Sequence, residues 1–232
     1  SNSKLNRLQK NIEWTLRSNF MSIFTDNPDR ERSGWTGDLQ MIAPTVCYNL
    51  DVEANFRRWM EDLKYDQGEN GEIPAVIPYF RNGNTSMNHS TPGWGDVAVM
   101  MPWHMYQKYG DKRILETCYP SMQKWLELEK YRAESANPIS IGEVTPDREP
   151  YLKYIWNADW SFGYWITPSA CTDKETGRMV LGPLVLCNLT GTYYYAYSTE
   201  TLSKIAEILG KTEDAKMYRE LNQKIREAAV HE

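Results

Sequence analysis

The sequence predicts an all-α fold of antiparallel helical hairpins, with long loops gathered at one rim. Three observations predict it. Apolar residues recur at i+3/i+4 in one segment after another, the stretches between are long and punctuated by Pro and Gly, and no strand-rich half is visible. Hairpins of this kind can assemble as a bundle, an α-solenoid or the two concentric rings of an (α/α) toroid. Periodicity alone leaves these open.

Leu5, Leu8, Ile12, Leu16 and Phe20 trace the first stripe, predicting a helix over about 4–22. A polar loop follows, and then Leu39–Asn49 and Val52–Tyr65 read as two further helices. In the second of these, Phe56, Trp59, Met60 and Leu63 share a face. Gly68, Gly71, Pro74 and Pro78 mark a non-helical stretch extending to about Pro92. A fourth helix is expected from Gly95 to Tyr109, ended by Gly110. Ile114, Leu115, Cys118, Met122, Trp125 and Leu126 form a fifth stripe, with an interruption expected at Pro120. Residues 134–182 resist a helical reading, and their aromatic load argues for an ordered, functional span. Pro183 suits the first turn of a helix reaching about Leu209. Gly210 closes it, Thr212 is the expected cap of the last helix, and Glu213 and Asp214 suit its N-terminal dipole. That last pattern runs to Glu232 without a stop signal, so a truncated domain is expected.

Composition narrows the function classes. A net charge of −5 with no basic run argues against nucleic-acid binding. No apolar run approaches the roughly 18 residues of a membrane span. Nothing in the chain reads as a leader, and both cytoplasmic and periplasmic or extracellular settings stay open. Cys47, Cys118, Cys171 and Cys187 lack paired spacing, as do His89, His104 and His231, so neither a metal nor another cofactor is expected. Cys47, Cys118 and Cys187 read as buried thiols. The chain holds 9 Trp and 15 Tyr against 5 Phe, an excess of flat apolar rings with a polar handle that suits half-wet surfaces such as carbohydrate clefts.

One segment concentrates chemistry. Thr25–Gln40 carries Asp26, Glu31 and Asp38, Arg30 and Arg32, and Trp35, among Pro28, Gly34 and Gly37. The Pro and Gly residues rule out a continuous helix face. Carboxylates beside an aromatic plate and guanidinium groups suit a sugar-processing site. Taken alone, Glu31 reads better as a surface residue paired with its arginines, and Asp38 could equally be a helix cap.

The order Asp26, Pro28, Arg30, Glu31, Arg32, Gly34, Trp35, Gly37, Asp38 resembles the catalytic loop of the α-L-rhamnosidase family of inverting glycoside hydrolases. These are six-hairpin, (α/α)6-barrel glycosidases. Many members place an Asp between the first Arg and the Glu; here Arg30 abuts Glu31. The resemblance continues through Ala43-Pro44-Thr45, Tyr48-Asn49, Pro92-Gly93-Trp94-Gly95-Asp96, Tyr109-Gly110-Asp111, Tyr119-Pro120-Ser121-Met122, Asn157-Ala158-Asp159-Trp160, Tyr193–Ala196, Leu209-Gly210-Lys211 and Asp214-Ala215.

The resemblance implies a single domain over 1–232, the N-terminal and middle part of a partial (α/α)6 toroid with about seven of twelve helices. It implies inverting hydrolysis of terminal α-L-rhamnosyl residues from a glycan, with Glu31 as general acid. Asp26, Arg30, Trp35, Asp38, Trp94 and Trp160 would hold the sugar, and Trp156 is a further aromatic candidate. Asp96 reads as a helix cap. The general base would be a Glu from a later loop, although Glu143 and Asp147 lie in a long loop of this chain. To serve as acid near neutrality Glu31 should have a raised pKa, which Asp26 or Asp38 would favour and a close Arg30 or Arg32 would oppose. A six-hairpin glycosidase of other sugar specificity and a non-catalytic glycan-binding helical module are the alternatives. Oligomeric state is not legible.

Overall fold

The computed structural model describes residues 2–79, 90–135, 143–156, 161–162 and 187–232. Within them the elements run α1 (Ser3–Asn19), β1 (Phe20–Met21), β2 (Ile23–Phe24), α2 (Thr36–Asn49), α3 (Glu53–Asp66), α4 (Val97–Tyr109), α5 (Lys112–Glu134), α6 (Glu149–Leu152), α7 (Cys187–Ile208) and α8 (Thr212–His231). The expected all-α class holds, apart from the two-residue strands β1 and β2. These pair antiparallel across Ser22, at φ 75°. That hairpin ends the first helix at Asn19, short of its expected limit.

The helices form two layers. α2, α4 and α7 pack against one another in sequence, α2 on α4 and α4 on α7. α4 is buried along most of its length, from Val97 to Pro102 and again at Met105. A helix apolar on nearly every side belongs in an interior ring. α3, α5 and α8 bury one stripe each and cover that ring from outside: α3 lies on α4, α5 on α4 and α7, and α8 on α7. Each inner helix is followed in the chain by an outer one, which is one arc of an (α/α) toroid.

Short connections enforce the hairpins. α4 ends at Gly110, whose φ of 70° admits the left-handed cap, and Asp111 then caps α5 by accepting from the Arg113 N–H at 2.9 Å. Gly210, at φ 72°, turns α7 into α8. The core runs through both layers, with Phe56, Met60, Leu63, Met100, Met101, Leu115, Trp125, Tyr195 and Ile205 each at most 1% exposed.

Several expectations need correction. α5 passes through Pro120 unbroken. Pro120 and Glu116, the residue whose carbonyl loses its partner, both lie on the exposed side, where water can satisfy that carbonyl. Thr212 is the first residue of α8, Lys211 holds the cap position, and no side chain caps there. The irregular span contains the short helix α6. On α1 only the C-terminal part of the stripe is buried: Leu16 is covered, whereas Leu5 and Leu8 are exposed. The expected helix start at Pro183, together with Cys171 and His89, lies outside the described residues. Cys47 and Cys118 are buried free thiols as expected.

Candidate active site

The polar loop between β2 and α2 is clamped at both ends. At its neck the Asp26 N–H donates to the Ser33 carbonyl at 3.0 Å, and the Ser33 N–H donates to Asp26 Oδ1 at 3.0 Å. Inside the loop, Asn27 Oδ1 accepts from the Arg30 N–H at 2.7 Å and the Glu31 N–H at 3.1 Å. This Asx-type arrangement sets the turn that presents Glu31. At the far end, residues 34–36 pair with residues 75–77: the Ile77 N–H donates to the Gly34 carbonyl and the Thr36 N–H to the Ala75 carbonyl. A Cβ on Gly34 would lie 2.2 Å from the Ile77 carbonyl oxygen, so this close approach requires glycine.

The loop forms one wall of a cleft of about 950 Å³, a size suited to a small ligand. Asp26, Arg30, Glu31, Trp35 and Asp38 line it. Gly93 and Trp94 from the turn before α4, Phe162 and Tyr194 line it too, and Thr15, Leu16 and Asn19 of α1 and Met41 of α2 are among the other lining residues. Five of the six expected sugar-binding residues therefore meet Glu31 in one cleft, and Trp160 lies outside the described residues. Trp156 is corrected. It is 1% exposed, packs on Gly191 and offers no face to a ligand.

Hydrogen bonds and burial set the charges. Glu31 Oε2 accepts from the Trp35 indole N–H at 2.8 Å, and Glu31 Oε1 pairs with the Arg30 guanidinium. Arg30 above all, then Trp35, holds the Glu31 carboxyl below the usual range despite partial burial. The raised value expected for a proton donor is not found in this arrangement, because the guanidinium outweighs the burial. Asp38 behaves oppositely: burial, then the charges of Asp26 and Glu31, push its carboxyl up. It is not a helix cap. α2 begins at Thr36 with Trp35 in the cap position, and Asp38 faces the cleft from the first helical turn.

Aromatic packing aligns the walls. Phe162 stands edge-on to Trp35, with ring centroids 5.7 Å apart, and lies against Trp94 at 4.4 Å. Trp94 also covers Gly37, where a Cβ would fall 2.7 Å from the indole. Sequence reading missed Phe162, Tyr194, Met41 and Asn27. Asn27 carried a local signal, its place two residues after Thr25 at the head of a Pro-containing turn, and Met41 follows the loop within α2, one turn after Asp38; Phe162 and Tyr194 arrive from distant segments. Glu143 and Asp147 do not line the cleft. They lie by α6, where the Glu143 carbonyl accepts from Arg148 and Arg148 pairs with Glu232. Asp96 holds the cap position of α4, but its side chain makes no capping bond there. Among the described residues, no three His, Cys, Asp or Glu side chains group as a metal site, and no helix is long and apolar enough to cross a membrane.

Comparison with known proteins identifies the family. The bacterial alpha-L-rhamnosidase 6 hairpin glycosidase domain matches residues 1–232. An alpha-L-rhamnosidase of Formosa agariphila is 36% identical over 230 residues, covering 98% of this chain and 22% of the relative. The structure of an alpha-L-rhamnosidase from Dictyoglumus thermophilum superposes with a TM-score of 0.77 at 34% identity, over 99% of this chain and 22% of that one. A Streptomyces avermitilis alpha-L-rhamnosidase, solved with L-rhamnose, gives a TM-score of 0.76 at 31% identity, over 99% of this chain and 19% of that one. The chain thus spans about a fifth of the length of the relatives it matches.

Proposed function

The chain belongs to the bacterial α-L-rhamnosidase six-hairpin glycosidase family, and from that premise we propose that the protein hydrolyses terminal α-L-rhamnosides with inversion, using Glu31 as general acid. The observation that carries the reading is the convergence of Asp26, Glu31, Asp38, Trp35 and Trp94 on one cleft. The indole faces take the apolar face and C5-methyl of the sugar. Asp26 and Asp38 hold vicinal hydroxyls. With its raised affinity for a proton, Asp38 can also donate to one of them.

Glu31 must gain a proton before it can protonate the leaving oxygen. In the open cleft its pairing with Arg30 opposes this. A bound sugar that takes the exposed Arg30 guanidinium as its own partner and displaces water would free Glu31, and burial then favours the neutral acid. Inversion needs a second carboxylate roughly 6.5–9.5 Å away to activate water. Among the described residues, the three cleft-lining carboxylates all come from residues 26–38, and the family resemblance implies a base contributed by a later segment.

The test is Glu31→Gln in the full-length protein. Cleavage of methyl α-L-rhamnoside should fall about 10²- to 10⁴-fold, the usual worth of a general acid. Cleavage of 4-nitrophenyl α-L-rhamnoside, whose leaving group needs little protonation, should fall far less. Near-wild-type rates on both would remove Glu31 from the role. A second reading, with Asp38 as proton donor, is favoured by the opposite shifts of the two carboxyls. The same comparison on Asp38→Asn separates them, because only the true donor shows the leaving-group dependence.

A further inference from the structure

One buried carboxyl is unused by the reaction above. Asp96 is 0% exposed, yet its two oxygens gather three donors from three places in the fold. The Gly93 N–H donates to Oδ2 at 2.6 Å, the Trp125 indole N–H of α5 donates to Oδ1 at 3.3 Å, and the Ser198 hydroxyl of α7 donates to the same Oδ1. None of these bonds caps α4, the helix that Asp96 begins. They reach back into the preceding turn and sideways to two neighbouring helices.

That turn carries Trp94. Its backbone is closed by the Trp94 and Gly95 N–H groups, both donating to the Thr91 carbonyl, at 3.2 and 2.9 Å. Gly93 adopts φ 86°, and a Cβ there would meet the Tyr194 ring at 3.1 Å. Gly95 lies under Trp125, where a Cβ would be 2.3 Å from the indole. The turn is thus wedged between α5 and α7, and the Asp96 side chain is the acceptor common to both helices and to the turn itself.

The geometry points to Asp96 as a positioning residue: by joining the Gly93 amide to Trp125 and Ser198, it fixes Trp94 as a wall of the sugar cleft. The inference rests on reading that cleft as the sugar site. An Asn of the same shape cannot replace Asp96. Its amide nitrogen would oppose either the Gly93 N–H or the Trp125 N–H, donor against donor, and the turn would have to shift. Trp94 contributes contact area to bound sugar both before and during reaction, so its displacement weakens binding more than it slows chemistry.

The test uses the full-length protein. Asp96→Asn should raise KM for 4-nitrophenyl α-L-rhamnoside on the order of tenfold while kcat changes much less. In a Trp94→Ala background the same substitution should add little, since its route to the sugar is already removed. An independent readout is fluorine NMR of protein labelled with 5-fluorotryptophan, with the Trp94 resonance assigned by Trp94→Phe; it should shift or broaden in Asp96→Asn. An unmoved resonance, or effects on KM that simply add, would overturn the role of Asp96. A wild-type protein without rhamnoside turnover would instead overturn the proposed function, and the resonance would still judge the positioning. Should Asp96→Asn fail to fold, Ser198→Ala removes one tie only; it should move the same resonance with a smaller rise in KM, and no movement would again overturn the role.

Discussion

Gly37→Ala isolates the contact between α2 and Trp94. Gly37 lies in the first turn of α2, buried beneath the Trp94 ring. A Cβ there would sit 2.7 Å from Cε2, 2.8 Å from Nε1 and 2.9 Å from Cδ2 of that indole. Non-bonded carbons rest about 3.5–4.0 Å apart, so the ring must retreat by roughly 1 Å. Two stability effects oppose each other. Alanine in a helix is favoured over glycine by about 0.5–1 kcal/mol, whereas overpacking costs about 1–3 kcal/mol. The net loss is therefore at most about 2.5 kcal/mol. Function should suffer more, because a shift of about 1 Å in a site can cost up to 100-fold. Steady-state kinetics of the full-length variant on 4-nitrophenyl α-L-rhamnoside, with a thermal melt, should show kcat/KM down about ten- to 100-fold in a protein folded at assay temperature. If kcat/KM stays within about twofold while Tm falls, Trp94 serves packing and not the sugar, and the reasoning fails.

Other perturbations probe the charges. Because Arg30 lowers the Glu31 pKa, Arg30→Met should let Glu31 keep its proton to higher pH. The alkaline limb of the kcat/KM profile should then move upward; an unmoved or lowered limb would show that Arg30 does not govern the acid. Glu129 is wholly buried, and among the described residues neither of its oxygens has a hydrogen-bond partner. Burial, then the nearby Asp96, raises its pKa well above the usual range, against Arg132. The stability linked to its proton is full below the ordinary carboxyl range and is lost as pH rises toward the folded value. Glu129→Gln should therefore gain in Tm over wild type between pH 4 and pH 8, and a constant difference would refute the neutral-acid assignment. Burial pushes the Cys118 thiol up to about 11. Peptide mapping after treatment with a thiol reagent at pH 8 should find Cys118 unmodified in the native protein and modified in denaturant; native labelling would contradict its burial.

The helices were legible because their signal is local. The stripe Phe56, Trp59, Met60, Leu63 needs only the 3.6-residue period to declare a buried face, and Gly110 and Gly210 mark ends that any helix of this kind would use. Pro120 misled for the same reason. Its cost depends on whether the freed carbonyl meets water, and that is settled by which side of α5 faces outward. The loop that lines the cleft was legible too, since its acids, arginines and tryptophan fall within sixteen residues.

By itself, then, the sequence determined the all-α class, the helical hairpins and the segment proposed to carry the chemistry. Only the tertiary structure decided what each charged group experiences. It brought Trp94, Phe162 and Tyr194 to the same cleft, turned Arg30 onto Glu31, and changed Asp96 from an expected cap into a tie among a turn and two helices. Helix formation follows from neighbours within one turn of chain. A carboxyl's proton affinity depends on burial and on charges a few ångströms away in space, and Ser198 reaches Asp96 from 102 residues along the chain.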